Sequence, residues 1–191
     1  LIHFSSDYIF NGNKKIPYKE NNKPNPINYY GITKLLSENE IINQNYKNYM
    51  IIRTSMLYSI FNKNILTNLI LNFNKDIDLK FIDNIICSPT SAYSLAEFLN
   101  FIVLNKKFKP GIYNFCDSGI CSNYEFASYV NKIILKNKLL KSRSQIYPIN
   151  FIDYKSKILR PQFSALDNNK VINKFDYKIN NWKKNLENII I

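Results

Sequence analysis

Glycine is scarce in this chain of 191 residues, which has only four, at positions 12, 31, 111 and 119. A dinucleotide-binding turn needs closely spaced glycines directly after a strand, because the backbone there must approach a pyrophosphate. No segment of the sequence has that pattern. The sequence therefore contains no phosphate-binding turn of this type.

Metal-ligating side chains are also few. The three cysteines, Cys87, Cys116 and Cys121, are odd in number and lack paired ligand spacing, and the single histidine, His3, lies within an apolar run. Zinc sites need clustered cysteine and histidine ligands, so we expect no metal site. Reduced thiols fit a cytoplasmic protein.

Long apolar segments and an arginine-rich patch are both missing. Runs such as Phe98–Leu104 are far shorter than the roughly 20 residues of a membrane span, so we expect no membrane association. The net charge is +12, but only three arginines accompany 23 lysines, which are scattered along the chain. Nucleic-acid recognition favours the arginine fork. We therefore expect a solvated lysine surface and no nucleic-acid partner.

The hydrophobic pattern alternates short β-rich runs with longer helical runs, which is typical of a parallel α/β sheet with crossover helices. The predicted strands are Ile2–Ser5, Tyr49–Thr54, Leu79–Ile82 and Gly111–Phe115. The predicted helices are Tyr29–Asn45, Asn64–Asn74, Ser91–Leu104, Ser122–Lys138 and Asn181–Ile190. We expect the four strands to form one parallel sheet, as part of a Rossmann-like fold.

The first predicted strand begins almost at Leu1, and no initiating Met precedes it. Four strands are too few to cover both faces and both edges of a doubly wound sheet, and the first has the composition of a central strand. We therefore expect further strands before Leu1. Residues 1–140 are assigned to the remaining Rossmann-like domain, and residues 141–191, where periodicity is weak, to a small C-terminal lobe.

Tyr30 and Lys34 form the candidate catalytic element, because residues four apart lie on one face of a helix. An ammonium group beside a phenol favours the phenolate, and such a tyrosine can give a proton to a carbonyl oxygen as hydride reaches its carbon. The spacing alone also fits an ordinary helix with a surface lysine. Ser6 follows the first strand, where open α/β sheets bind ligands, and its hydroxyl can bond the same carbonyl oxygen or serve only as a turn residue.

These residues lie within longer runs that follow one another along nearly the whole chain. The runs are Phe4–Gly12, Pro17–Glu20, Asn25–Glu38, Arg53–Tyr58, Ser88–Thr90, Gly111–Asn114, Tyr124–Ala127 and Arg160–Leu166. Together they closely resemble the dTDP-4-dehydrorhamnose reductases, a family of the extended short-chain dehydrogenase/reductase class. The resemblance implies a partial Rossmann-like domain with interleaved substrate-lobe segments, and a C-terminal substrate lobe.

The resemblance also implies roles for single residues. Tyr30 would be the general acid, Lys34 would assist it and hold the nicotinamide ribose, and Ser6 stands where the family usually has threonine. Phe4 stands where the family strand lines the cofactor site. Phe4, Tyr30 and Lys34 are therefore expected to contact NADPH or NADH.

Substrate contacts are expected from Ser6, Asp7 and Met56. Met56 replaces a tryptophan of the family, so a smaller apolar contact takes the place of an aromatic stacking surface. Residues 83–87 replace a polar loop that contains glycine, and Asn123 stands where an aromatic residue is common.

The implied activity is the reduction of dTDP-4-dehydro-L-rhamnose to dTDP-L-rhamnose, the last step of dTDP-rhamnose biosynthesis. The enzyme is expected in the cytoplasm, and a homodimer is one of the oligomeric states that the sequence leaves open. Without a glycine-rich turn, we expect these 191 residues to be inactive alone. Two alternatives stay open: a non-catalytic, nucleotide-binding regulatory subunit, and a sugar-nucleotide epimerase or dehydratase. The joint presence of Ser6, Tyr30 and Lys34 favours an enzyme, and Ser88–Thr90 with Arg160 and Pro161 favours the reductase.

Overall fold

A computed structural model describes residues 1–44, 47–73, 75, 77–140, 144–154 and 156–190. The strands are β1 (Ile2–Ser6), β2 (Met50–Thr54), β3 (Leu57–Tyr58), β4 (Leu79–Ile82), β5 (Ile86–Cys87), β6 (Thr90–Ser91), β7 (Gly111–Asn114), β8 (Cys121–Ser122) and β9 (Ile146–Ile149). The helices are α1 (Tyr29–Asn43), α2 (Ile65–Phe73), α3 (Ala92–Leu104), α4 (Asn123–Lys136), α5 (Asn169–Phe175) and α6 (Trp182–Ile190). Asp7–Ile9 and Phe151–Tyr154 form short 3-10 helices.

The main sheet contains three parallel strands in the order β1-β2-β7. Met50, Ile51 and Ile52 of the central strand are fully buried, as expected for a parallel strand covered on both faces. On one face, a cluster joins β2 to Phe98 of α3 and Phe175 of α5. The predicted α/β class with parallel strands and crossover helices is confirmed.

The prediction that Leu79–Ile82 belongs to this sheet is wrong. That segment forms β4, which pairs in parallel with β9 in a separate two-stranded sheet. Leu79 and Phe81 pack against a second cluster, built from α2, α4 and α6, and not against the cluster on β2. Apolar alternation indicates a strand, but it does not say which sheet the strand joins.

The predicted helices occur with small changes at their ends. Ser91 and Ser122, predicted as first helical residues, are instead N-caps that accept hydrogen bonds from the backbone amides of Ser94 and Glu125. The seven-residue helix α5 was not predicted, because so short a segment has too few turns to establish a helical pattern.

Some sequence-based predictions fall on residues that the structure does not describe. The predicted ends of two helices, Asn45 and Asn74, lie outside the described residues, as do residues 141–143 at the predicted domain boundary. The division into residues 1–140 and 141–191 stays a prediction. Among the helices of the described ranges, none is long and apolar enough to cross a membrane.

Candidate functional site

A cleft of about 420 Å³ opens at the carboxyl ends of β1 and β2. All six residues predicted to act in catalysis, cofactor binding or substrate binding line it. They are Phe4, Ser6, Asp7, Tyr30, Lys34 and Met56. A larger cavity of about 690 Å³ lies elsewhere, but none of these six side chains reaches it. The smaller cleft is therefore the candidate site.

Helix α1 presents Tyr30 and Lys34 to the cleft. It begins after Asn28, whose side-chain oxygen accepts a hydrogen bond of 2.8 Å from the amide of Gly31 and satisfies one free donor of the first turn. The Lys34 ammonium donates to the carbonyl oxygen of Phe4 at 3.2 Å and lies 5.8 Å from the centroid of the Tyr30 ring. The ammonium therefore joins the helix to β1 and lies beside the phenol.

Gly31 allows the helix to approach the site closely. A Cβ atom at this position would lie 2.1 Å from the carbonyl oxygen of Tyr8 and 2.9 Å from Cβ of Pro26. Any side chain larger than hydrogen would push α1 away from the segment that follows β1. The glycine between Tyr30 and Lys34 thus fixes the distance between the two halves of the site.

Asp7 lies buried at the floor of the cleft. Its carboxyl oxygens accept hydrogen bonds from Ser6 Oγ at 3.0 Å and from Ser55 Oγ at 2.7 Å. Burial raises the pKa of Asp7, and the hydroxyls of Ser164, Ser55 and Ser6 partly oppose this shift. The single O–H of Ser6 donates its hydrogen bond to Asp7. The Ser6 hydroxyl must therefore rotate before it can donate a hydrogen bond to a substrate oxygen.

Tyr8 was not singled out from the sequence, yet it lines the cleft beside Tyr30. The two rings meet edge to face with centroids 6.0 Å apart. Burial, followed by the nearby carboxylate of Asp7, raises the pKa of Tyr8 to about 12. Tyr8 therefore stays protonated at neutral pH and supports the Tyr30 ring. The available signal was its position directly after Ser6 and Asp7 at a strand end.

Met56 occupies a strained position at the cleft wall. Its φ angle is 39°, in the left-handed region that residues with a Cβ rarely adopt. Met56 Sδ lies 3.3 Å from Cys87 Sγ, and burial raises the pKa of the Cys87 thiol. Two sulfur atoms therefore form an apolar, uncharged wall. Arg160 and Ser164, from a distant part of the chain, also line the cleft.

Within the described ranges, no group of three or more His, Cys, Asp or Glu residues could hold a metal ion. The cleft instead contains two tyrosines, an ammonium group, hydroxyls and a buried carboxyl. These groups can move a proton and bind a polar, uncharged oxygen. A parallel sheet with a tyrosine and a lysine four residues apart at its carboxyl edge defines a Rossmann-like protein of the short-chain dehydrogenase/reductase class.

Comparison with known proteins narrows this class. The sequence profile of the RmlD substrate binding domain matches residues 1–191. The chain belongs to this family, which confirms the resemblance drawn from its motifs. It is 32% identical, over 97% of its length, to the spore coat polysaccharide biosynthesis protein SpsK of Bacillus subtilis.

Two solved structures are similar to the chain along nearly its whole length. A dTDP-4-dehydrorhamnose reductase from Clostridium acetobutylicum superposes with a TM-score of 0.87 at 29% identity, covering 99% of this chain. The Bacillus anthracis dTDP-4-dehydrorhamnose reductase, in complex with NADP, gives a TM-score of 0.85 at 26% identity over 99% of this chain. The chain spans 62% of the length of SpsK and 64% of each of these two structures.

Proposed function

We propose that this chain provides the proton donor and the sugar-binding wall for reduction of a 4-keto group on a dTDP-activated 6-deoxy sugar. The product of dTDP-4-dehydro-L-rhamnose would be dTDP-L-rhamnose, and the reaction would complete dTDP-rhamnose biosynthesis in the cytoplasm. The observation that carries the proposal is the meeting of Ser6, Tyr30 and Lys34 in one cleft. Similar proteins named dTDP-4-dehydrorhamnose reductase support the choice of substrate.

The chemistry needs one hydride and one proton. NADPH or NADH, when bound, supplies the hydride to C4 of the sugar. Tyr30 gives its phenolic proton to the C4 oxygen, so the ketone becomes a secondary alcohol. Lys34 stabilises the phenolate that is left, because its ammonium lies beside the ring. Ser6, after turning away from Asp7, donates a hydrogen bond to the same oxygen.

The residues present fit one end of the cofactor. Phe4 and Tyr30 are 41% and 52% exposed at the cleft, so both offer surface to a nicotinamide and its ribose. Lys34 lines the same cleft, and its ammonium would hold the ribose hydroxyls of the cofactor. The four glycines of the chain lie at least 8 positions apart, so none of them forms a pyrophosphate cradle. We therefore assign Phe4, Tyr30 and Lys34 to the nicotinamide end alone.

The opposite wall suits a deoxy sugar. Met56 and Cys87 present sulfur and methylene groups, which favour an apolar methyl substituent over a hydroxyl. Asp7 adds a buried polar contact, and Arg160 adds a positive charge at the cleft for the sugar's diphosphate. These contacts give the substrate one orientation, with its keto group toward Tyr30.

The test compares Tyr30→Phe with Tyr29→Phe in the protein expressed from its complete reading frame. Tyr30→Phe removes the proton donor but keeps the ring against Tyr8, so turnover should fall by roughly 10²–10⁴-fold while cofactor binding persists. Tyr29 is 81% exposed and does not line the cleft, so the control should keep its turnover. Oxidation of NADPH and NADH is followed by absorbance, with dTDP-4-dehydrorhamnose as substrate.

The companion variants separate the remaining roles. Lys34→Ala should weaken both cofactor binding and turnover, whereas Ser6→Thr should be mild because the hydroxyl is kept. Unchanged turnover in Tyr30→Phe would refute the proposed mechanism. A nucleotide-binding subunit without catalysis would then be the better description of the chain.

A further inference from the structure

Helix α1 buries few apolar side chains, although it carries the proposed reacting group Tyr30. Its only buried residues are Gly31 and Glu38, and Leu35 makes a partly buried contact with the cluster around Ile9 and Phe10. Glycine contributes no side chain, and a single leucine does not define the rotation of a helix about its axis. The rotation must therefore be set by directional contacts.

Glu38 lies on the face of α1 that carries the site. It follows Lys34 by four residues and Tyr30 by eight, and residues at this spacing lie above one another along a helix. Its side chain is 1% exposed. A buried carboxylate is stable only when charged and hydrogen-bonded partners surround it.

Arg53, near the end of β2, is that partner. Its Nε donates to Glu38 Oε1 at 2.9 Å and its Nη2 to Glu38 Oε2 at 2.6 Å, a two-point contact with a fixed mutual orientation. Its Nη1 donates to the carbonyl oxygen of Glu20 at 3.0 Å, and the guanidinium lies 5.5 Å from the Phe10 ring centroid. The position of the guanidinium is thus fixed by contacts with the Glu38 carboxylate, the Glu20 carbonyl oxygen and the Phe10 ring.

The position of Arg53 in the sheet connects this contact to the other half of the site. Arg53 is the register partner of Ser5 in β1, directly before Ser6 and Asp7. The ion pair therefore joins the strand ends that hold Ser6 to the helix that holds Tyr30 and Lys34. The same helix and strand are also joined by the hydrogen bond from Lys34 to the Phe4 carbonyl oxygen and by the close approach of Gly31 to Tyr8, but the ion pair is the two-point contact among them.

We propose that the Arg53–Glu38 pair sets the rotation of α1 and thereby aims Tyr30 and Lys34 into the cleft. Both residues are positioning residues: neither lines the cleft. This inference rests on the proposed function, in which Tyr30 is the proton donor. A displacement of about 1 Å at a reacting group lowers turnover by roughly 10²-fold, so a small rotation of α1 is enough.

The variants must separate an effect on the orientation of α1 from an effect on the stability of the fold. Glu38→Gln leaves an unpaired guanidinium buried, which is strongly destabilising in proteins, and the variant can fail to fold. The double variant Glu38→Leu with Arg53→Met replaces the pair by apolar groups of similar size, a change that proteins often tolerate without loss of stability. Glu40→Gln makes the same chemical change at an exposed position of α1 and is the matched control.

We expect the double variant, in the complete protein, to melt cooperatively near the wild-type temperature and to lose roughly 10²-fold in kcat. KM for the dTDP-sugar should stay within about threefold, because the substrate wall is untouched. In a Tyr30→Phe background the double variant should cause a clearly smaller loss, because the part that acts through the Tyr30 proton is already gone and only the part that acts through Lys34 remains. Glu40→Gln should match the wild type throughout.

A second readout needs no turnover. Reductive methylation with ¹³C-formaldehyde labels the lysines for NMR. The Lys34 signal is the chemical shift of its labelled methyl groups, which is identified by its loss in Lys34→Arg. This shift is sensitive to the position of the ammonium relative to the Tyr30 ring. We expect this signal to move in the double variant and to stay in Glu40→Gln. A folded double variant with an unchanged Lys34 signal would overturn the inference, whether or not the protein turns over.

The two proposals fail in different ways. If Tyr30→Phe leaves turnover intact, the proposed function is wrong. If Tyr30→Phe lowers turnover but the folded double variant keeps its kcat, or loses the same factor in both backgrounds, only the positioning role is wrong. The pair would then be a stabilising contact without influence on the site.

Discussion

Helices α1 and α4 are of similar length but are held in place by different forces. α4 buries Phe126, Ala127, Val130, Ile133 and Ile134 in a cluster shared with α2 and α6. α1 buries only Gly31 and Glu38 and leaves Tyr29 and Leu36 exposed. Apolar burial is non-directional, and together with the Ser122–Glu125 capping box it stabilises α4. α1 is aimed by a cap, a close glycine contact and an ion pair, and it is the helix that carries the candidate site.

The largest expected difference in stability comes from Phe126→Ala in α4. Phe126 is fully buried and contacts the rings of Tyr58 and Trp182, so truncation should leave a cavity and cost about 3–5 kcal/mol of unfolding free energy. Denaturant unfolding measures this change. The cleft does not include α4 beyond Asn123, so the Lys34 signal should stay unchanged in the folded variant. A loss below 1 kcal/mol would contradict the assigned role of this cluster.

Gly31→Ala should have a smaller effect on stability and a larger effect on the site. Alanine normally stabilises a helix relative to glycine, but the new Cβ would meet the Tyr8 carbonyl oxygen at 2.1 Å. We expect a net cost of about 1–3 kcal/mol as α1 shifts outward. The Lys34 signal should move with the helix. Stabilisation by this substitution would show that α1 is not tightly seated.

The buried carboxyl at the site should make stability depend on pH. Burial raises the folded-state pKa of Asp7, so its contribution is fully present below the unfolded pKa and is lost as pH rises through the raised value. Each pKa unit corresponds to about 1.4 kcal/mol. Unfolding free energies between pH 4 and 8 should fall more steeply in the wild type than in Asp7→Asn, where the group no longer ionises. Parallel pH curves would contradict this assignment.

The smallest expected effects compare the two helix caps. Ser122→Ala removes a capping box with Glu125, and Asn28→Ala removes the cap on Gly31, so each should cost about 1 kcal/mol. The Asn28 amide also donates to the carbonyl oxygen of Leu159 at 2.9 Å. Asn28→Ala should therefore also move the Lys34 signal, whereas Ser122→Ala should not. Equal effects of the two substitutions on the Lys34 signal would contradict the view that the cap of α1, and not the cap of α4, helps to position Lys34.

Much of the fold could be predicted from local patterns. The helical run 122–138 was predicted within two residues of α4 at each end, because its apolar period is a local pattern. The prediction failed for β4, whose alternation is correct for a strand but whose partner, β9, lies more than sixty residues away. The strand with which β4 pairs depends on the hydrophobic cluster that its apolar face contacts, and no local sequence pattern indicates that cluster.

The candidate site shows the same division. Tyr30, Lys34 and Ser6 could be named from spacing and from their place after a strand, and the family resemblance added Phe4, Asp7 and Met56. Glu38 and Arg53 stand at the ends of two runs that carry the resemblance, but nothing in the sequence indicated that they pair, because two charged residues fifteen positions apart resemble ordinary surface residues. Tyr8 was also missed, since one tyrosine among 14 does not stand out.

The sequence by itself determined the alternation of strands and helices, the Tyr-Lys pair on one helix face and the family, because these depend on spacing of a few residues. Tertiary structure alone decided that β4 leaves the main sheet, that Ser6 donates its hydrogen bond to Asp7, and that Arg53 binds Glu38. These contacts join segments whose relative placement depends on burial and hydrogen-bond geometry. A buried charge finds its partner only when the whole chain has excluded water around both.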